Sequence, residues 1–447
     1  MKNKRGITLV SLVITIIILI ILAGVTINLT IGENGLFRKA QFAKDKYLNA
    51  QSSEEEQLNE LYAYLAREDL PENTKENPQP VGTPVKLPSS WQTVTPYYVS
   101  VPDGGVVKES TKVASVYAVS VGNGNTVPVP VGFWYVGGTL DTGVVISDKE
   151  ADSYKKNGRD MTGHSDAINL IGNQFVFIPC TATEYVKSNW ASGNQGNQTA
   201  ASNAYWGTTT TKGETEYISK YGGFYVSRYE AGLPEGTTEF TGSLIYTSNY
   251  YNSIEGIPQS KAGVLPWNFI DWNNSKIKAE KMYETKNNIA SGLITGTQWD
   301  VMIKKLESKG YSTSNSKAWG NYSTGEAFNY TGRAAEFKTS DNKLYAFGEL
   351  KENATKANNT GYLLSTGASE HNKAYNLYDV AGNLWEWTEE SAAHYSSSIG
   401  SLITNRMTRG GSFRSDSSGS PARYRYGSYD SETTYYGAGF RVVLYMK

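Results

Sequence analysis

The side chains that most often carry chemistry are scarce in this chain. It holds one cysteine, Cys180, and three histidines, His164, His371 and His394. A lone thiol closes no intrachain disulfide and builds no Cys-rich zinc site. The histidines fall at no ligand-like spacing, and no nucleophile with a neighbouring histidine suggests itself. What stands out instead is recognition chemistry. From Ser412 to Gly439, 28 residues include seven Ser, five Tyr, four Gly and two Asp. Tyrosine brings a large amphipathic surface at low entropy cost, while Ser, Gly and Asp supply adaptable hydrogen bonds. The stretch reads as a binding surface, with a plain polar loop as the alternative.

The elements that must hold such a surface follow from length and patterning. A chain of 447 residues has room for about three units of roughly 150 residues. Lys plus Arg number 42 against 43 Asp plus Glu, a net charge of -1, which removes the electrostatic footprint of a nucleic-acid binder. With 44 Gly, 32 Tyr and only 19% charged residues, the composition favours a turn-rich, polar-aromatic surface over a helical bundle.

Ile7 to Ile27 contains no charge, and about 20 residues at about 1.5 Å each cross a bilayer core of about 30 Å. This predicts a membrane-spanning helix, with a cleavable secretory signal as the lesser alternative. Lys2, Lys4 and Arg5 on its N-terminal flank orient everything downstream outward. Leu36, Ala40, Ala43, Tyr47, Leu58, Leu61 and Leu65 continue as an amphipathic stalk helix or as a helix packed on the next domain. Five prolines between Pro71 and Ser90 predict a stiff linker over 71–90. Short β-branched runs between Trp91 and Ser147 predict a β-rich module or an extension of the following domain over 91–164. Beyond it, GNQFVFIP and YGGFYVSRYEAG read as strands and PWNFIDWNNSKIKAEKMYE as a loop entering a helix. GLITGTQWDVMIKKL reads as a helix capped by Thr295 or Thr297. The next 70 or so residues, rich in Asn, Thr, Gly and Ser, predict long loops. Together these predict an irregular α+β domain over 165–447.

Two resemblances sharpen this picture. KRGITLVSLVITIIILIILAGVTI resembles the N-terminus of type IV prepilins and pseudopilins, which implies cleavage after Gly6. Ser11 stands where that family has a glutamate, a departure that leaves membrane anchoring intact and weakens pilus-like assembly. NLYDVAGNLWEWTEE (Asn376 to Glu390), RGGSF (Arg409 to Phe413) and GFRVVL (Gly439 to Leu444) resemble the formylglycine-generating-enzyme or sulfatase-modifying-factor domain. The resemblance implies a C-type-lectin-like fold of the sulfatase-modifying-factor subtype. In it, Trp385, Trp387, Gly410, Gly411 and Gly439 build the scaffold, with Glu386 pointing away from the tryptophans.

The family's oxidases bind copper through two cysteines after RGGS, and that stretch here, FRSDSSGSPARYRYGSY, has none. Catalytic residues are therefore expected to be absent. The resemblance also implies a structural Ca²⁺ held by Asp379 and Glu386 side chains and by Gly382 and Leu384 carbonyls. The competing expectation is that Asp379 caps a turn and Glu386 pairs with an arginine such as Arg409 or Arg441.

The family's substrate cleft maps onto Ser415, Asp416, Ser417, Tyr424, Tyr426, Tyr429, Asp430, Tyr435 and Tyr436. A rigid frame around such a Ser/Tyr/Asp/Gly interior also resembles the variable proteins of diversity-generating retroelements. The expectation is a non-catalytic protein on the outward face of a bacterial membrane that binds a protein or carbohydrate ligand. A divergent oxidase or a minor pilin are the alternatives.

Overall fold

The computed structural model describes residues 70–91, 116–149, 172–188, 190, 205–207, 214–286, 288–396 and 401–446. The chain divides into two units, Met1–Arg67 and Glu68–Lys447. The predicted membrane helix, the stalk and the processing site Gly6 lie outside the described residues. Among the described residues no helix is long and apolar enough to cross a membrane.

Ten strands frame the site. In chain order they are β1 (Trp134–Gly137), β2 (Val144–Ser147), β3 (Gln174–Pro179), β4 (Gly223–Ser227) and β5 (Ile289–Leu293). They continue with β6 (Trp385–Ser396), β7 (Ser401–Arg409), β8 (Arg425–Tyr429), β9 (Ala438–Phe440) and β10 (Val442–Met446). The first sheet runs β5-β10-β4-β3-β2-β1, antiparallel throughout. Its inner strands are near-continuous apolar runs such as FVFI and VVIS, the pattern of strands covered on both faces.

Around this sheet lie three α-helices among the described residues, α1 (Glu214–Tyr221), α2 (Trp272–Lys281) and α3 (Gly296–Ser308). Thr295 caps α3 in a reciprocal box with Gln298, so of the two candidate caps Thr295 takes the role and Thr297 lies within the first turn. Trp299, Met302 and Ile303 of α3 join Val176, Ile178, Val226 and Val443 in the main core. The result is a β-rich domain with few helices.

The second sheet runs β8-β7-β6-β9, with β9 parallel to β6 and Tyr205–Gly207 pairing antiparallel to β6. Its loops depend on glycine at close approaches. A Cβ on Gly411, at φ +78°, would lie 2.4 Å from the Ser420 carbonyl oxygen. One on Gly439 would meet Leu384 at 2.7 Å and the Trp267 carbonyl oxygen at 3.0 Å.

Three expectations are corrected here. The proline-rich stretch is not a free linker: Pro84–Val85 pairs with Val116–Ser120, and Asn73 Nδ2 donates to the Asn125 carbonyl at 2.8 Å. Its prolines are compatible with a short edge strand because that strand needs few of their missing N–H groups. The polar stretch after α3 carries five short strands between Phe328 and Leu364. In one of them, AAEFK, only Ala335 and Phe337 are buried, and that single apolar face is enough to fold it down. Glu386, finally, is fully buried like the tryptophans that flank it, because β6 is covered on both sides. Of the β-rich segment, β1 and β2 are part of the main sheet itself.

Candidate ligand-binding face

The segment RYRYGSY ends in β8, an edge strand of the second sheet, and its alternate side chains meet different surroundings. Arg425 points inward and is buried, with Nε 2.9 Å from Glu390 and Nη2 paired to Asp300. Arg409 of β7 reaches the same two carboxylates, at 2.7 Å from Asp300 and 3.2 Å from Glu390. Lys187 adds a third cation, 2.7 Å from Glu390. Burial alone would push Glu390 up, but Arg425, Arg409 and Lys187 outweigh it and hold the carboxyl at about 2.

The guanidinium groups also hold backbone. Arg409 donates to the carbonyls of Tyr424 at 2.9 Å and Arg423 at 3.1 Å, and Arg425 to that of Trp190 at 2.9 Å. Trp299 Nε1 and Asn405 Nδ2 bind the carbonyls of Ala422 and Gly427 at 3.1 and 2.7 Å. The strand is therefore tied down from beneath by groups that do not belong to its outer side.

On that outer side, Tyr426 stacks on Trp385 with ring centroids 5.3 Å apart at 26°, and Tyr424 leans on the same indole at 5.8 Å. Both tyrosines are half-buried, while Trp385 is nearly covered. Burial raises the Tyr424 phenol to about 12, so it is an uncharged hydrogen-bonding group at neutral pH. The preceding loop folds through its own hydroxyls and carboxylate. Ser415 Oγ accepts from Ser412 N at 3.0 Å, and Asp416 accepts from the backbone of Ser418 at 2.7 Å and Gly419 at 2.8 Å. Those contacts, led by the Ser418 hydroxyl, lower the Asp416 pKa. Asp430 closes a similar turn with Glu432 and Thr433.

The predicted face divides accordingly. Asp416 and Asp430 are exposed, and Ser415, Tyr424 and Tyr426 are half-buried. The Tyr429 side chain lies outside the described residues. Ser417, Tyr435 and Tyr436 are buried, at 3%, 7% and 0% exposure, and are corrected from cleft-lining to structural residues. Ser417 bonds Thr324 through its backbone N–H. Tyr435 and Tyr436 enter an aromatic cluster with Tyr246, Phe337 and Phe413 because β9, immediately after them, is locked to β6. Arg414 closes that cluster, 4.0 Å over the Phe337 ring.

The loop before β6 has a different electrostatic balance. Both Glu386 oxygens face the Arg441 guanidinium, at 2.8 and 2.5 Å, in a pair with no exposure. Asp379 accepts from Gly367 N at 2.7 Å, and burial raises its carboxyl to about 6. Glu230, also buried and held by Asn383, is pushed well above its ordinary value by burial and by the Asp379 and Glu386 charges. Gly382 and Leu384 are buried in the same turn, with the Gly382 N–H bonded to the Gly410 carbonyl at 2.9 Å.

This arrangement does not fit the expected calcium shell. Arg441 already engages both oxygens of Glu386, and Asp379 is committed to a turn. Among the described residues no group of three or more His, Cys, Asp or Glu side chains is arranged for a metal. Cys180 is buried, with its thiol raised to about 12 by burial, and is chemically inert.

The sequence reading missed Asp300, Glu390, Arg425 and Lys187 as a network. The available signal was charge inside aromatic-rich strands at Glu390 and Arg425, whereas Asp300, on α3, and Lys187, outside any strand, carried none.

Scaffold and motifs converge on one class. Residues 248–446 match the family model of the sulfatase-modifying factor enzyme 1-like domain. The match begins after β1 to β4, so the first sheet draws four strands from upstream of it. No curated protein matches the chain in sequence. Among solved structures, the chain is similar to Treponema denticola variable protein 1, at 13% identity and a TM-score of 0.28, covering 62% of this chain and 96% of that one. It is also similar to the Major Tropism Determinant M1 variant, at 13% identity and 0.27, covering 74% and 82%. At such values the likeness carries no argument about function.

Proposed function

We propose that this chain is a non-catalytic ligand-binding protein whose recognition surface is built on Tyr424 and Tyr426 over Trp385, bordered by Ser415, Asp416 and Asp430. The observation that carries the proposal is the alternation along RYRYGSY. Arg425 is fixed in a buried ion network, while the tyrosines beside it present half-exposed rings on an indole platform. Ring faces and phenol hydroxyls of this kind suit a protein or carbohydrate surface. Loss of the family's cysteines from the stretch after RGGS supports binding over oxidation.

The outer positions tolerate exchange in this reading, because the frame does not depend on them. That is the property a variable protein of a diversity-generating retroelement requires. Display on the outward face of a membrane through Ile7–Ile27 is part of the same proposal, and deletion of residues 1–70 should release the protein into the soluble fraction.

The test is ligand capture on protein and glycan arrays by the wild type and by a Tyr424→Ser/Tyr426→Ser variant of matched folding. Capture that disappears in the variant supports the reading. Turnover of a cysteine peptide with O₂ overturns it.

A further inference from the structure

A second site lies away from this face, in a groove of about 410 Å³ between the loops 235–238 and 250–255. Its volume is within the range of about 300–1,000 Å³ usual for small-molecule sites. Its walls are fixed. Tyr250 is held edge-on by Tyr251 at 4.9 Å and Phe240 at 5.9 Å, and 40% of it is exposed. Asn252 of the same loop clasps Asp271, the N-cap of α2, through bonds of 2.7 and 2.9 Å. A Cβ on Gly256 would lie only 2.7 Å from Pro234, so the two loops touch closely at the base.

Of the polar side chains that line the groove, Glu235 and Glu255 are acidic and none is basic. Glu235 has no ion-pair partner among the described residues, and Glu255 meets Lys278 at 3.1 Å while remaining 89% exposed. The imbalance is written in the sequence: Tyr229 to Ser260 contains Glu230, Glu235, Glu239 and Glu255 and no Lys, Arg or Asp. Glu239 is answered by Arg333 at 2.7 Å, which leaves Glu235 as the uncompensated charge at the groove.

We infer that this groove binds an organic cation, an ammonium or guanidinium group on an apolar stem, with Tyr250 as the ring beneath it and Glu235 as its counter-ion. A bare metal ion would leave most of the volume empty and gain nothing from the ring. A groove lined by both an aromatic ring and an unanswered carboxylate favours a large, weakly hydrated cation over an inorganic one. The charge can belong to a free amine or to a basic side chain of a peptide, which present the same group.

Saturation-transfer NMR on the full chain in detergent tests the assignment with choline, its neutral isostere 3,3-dimethylbutan-1-ol, lysine amide, a lysine-containing tripeptide and methyl glucoside. Choline and lysine amide should receive saturation, and the isostere and glucoside should not. A stronger tripeptide signal would assign the site to peptides, and an equal one to the cation alone. Glu235→Gln and Tyr250→Ala should each weaken choline binding about three- to fivefold, as exposed ion pairs and cation–π contacts do. Tyr424→Ser/Tyr426→Ser should leave it unchanged, which separates this site from the recognition face. Equal saturation of the isostere, binding of glucoside in place of choline, absence of any transfer, or indifference to both groove variants would overturn the inference.

Discussion

The two sides of the strand around Arg425 are built on opposite principles. Beneath it, Arg409, Arg425 and Lys187 meet Asp300 and Glu390 in a buried network whose groups depend on each other for charge compensation. Above it, Tyr424 and Tyr426 rest their rings on Trp385. Removing one member of the first set leaves a buried charge unanswered, whereas removing one of the second forfeits part of a ring contact. The difference teaches how one strand can be rigid in position and permissive in surface.

Breaking the lower side should have the largest effect. Arg425→Ala should cost about 3–5 kcal/mol, as loss of one partner from a buried pair does, and chemical denaturation will measure it. A cost below about 1 kcal/mol would mean the network is solvated and the contrast false.

Acid probes the same side without mutation. Glu390 is held at about 2 against an ordinary 4.5, so its contribution of roughly 3 kcal/mol is complete above pH 4.5 and lost as pH falls through 2. Asp379 has the opposite sign. Its carboxyl is raised from 3.8 to about 6, so the stability linked to it is complete below pH 3.8 and lost as pH rises through 6. Melting curves from pH 2 to 7 should therefore separate two limbs, and Asp379→Asn should flatten only the one between pH 4 and 6.

On the upper side, Tyr424→Ser and Tyr426→Ser should each cost about 1 kcal/mol, the worth of a partly exposed aromatic contact. Equal losses at Tyr426 and Arg425 would erase the distinction. The smallest effect is expected from chelator. Arg441 already answers Glu386, so EDTA followed by Ca²⁺ should leave the melting temperature unchanged. A drop on chelation, restored by Ca²⁺, would return Asp379 and Glu386 to the role of ligands.

Much of the frame was legible in the sequence because it rests on local signals. The strands FVFI and FYVS, the Thr295 cap of α3 and the glycines of RGGSF each follow from neighbours along the chain. The face was legible in part. Composition singled out the stretch but could not distinguish Tyr426, half-buried on an edge strand, from Tyr436, ten residues later and fully buried, because that depends on the remote ring of Phe337. The buried network was harder still: Asp300, Glu390 and Arg425 lie on three separate elements, and only tertiary folding brings them together. Glu386 shows the same limit, since its motif suggested a metal while the counter-ion came from Arg441, 55 residues away.

The most direct test is capture by arrayed proteins and glycans, read side by side for wild type and Tyr424→Ser/Tyr426→Ser, each shown to be folded at the assay temperature. At least one ligand should be bound by the wild type and lost from the variant. Identical profiles for the two proteins, or no ligand for either, would contradict the proposed recognition surface.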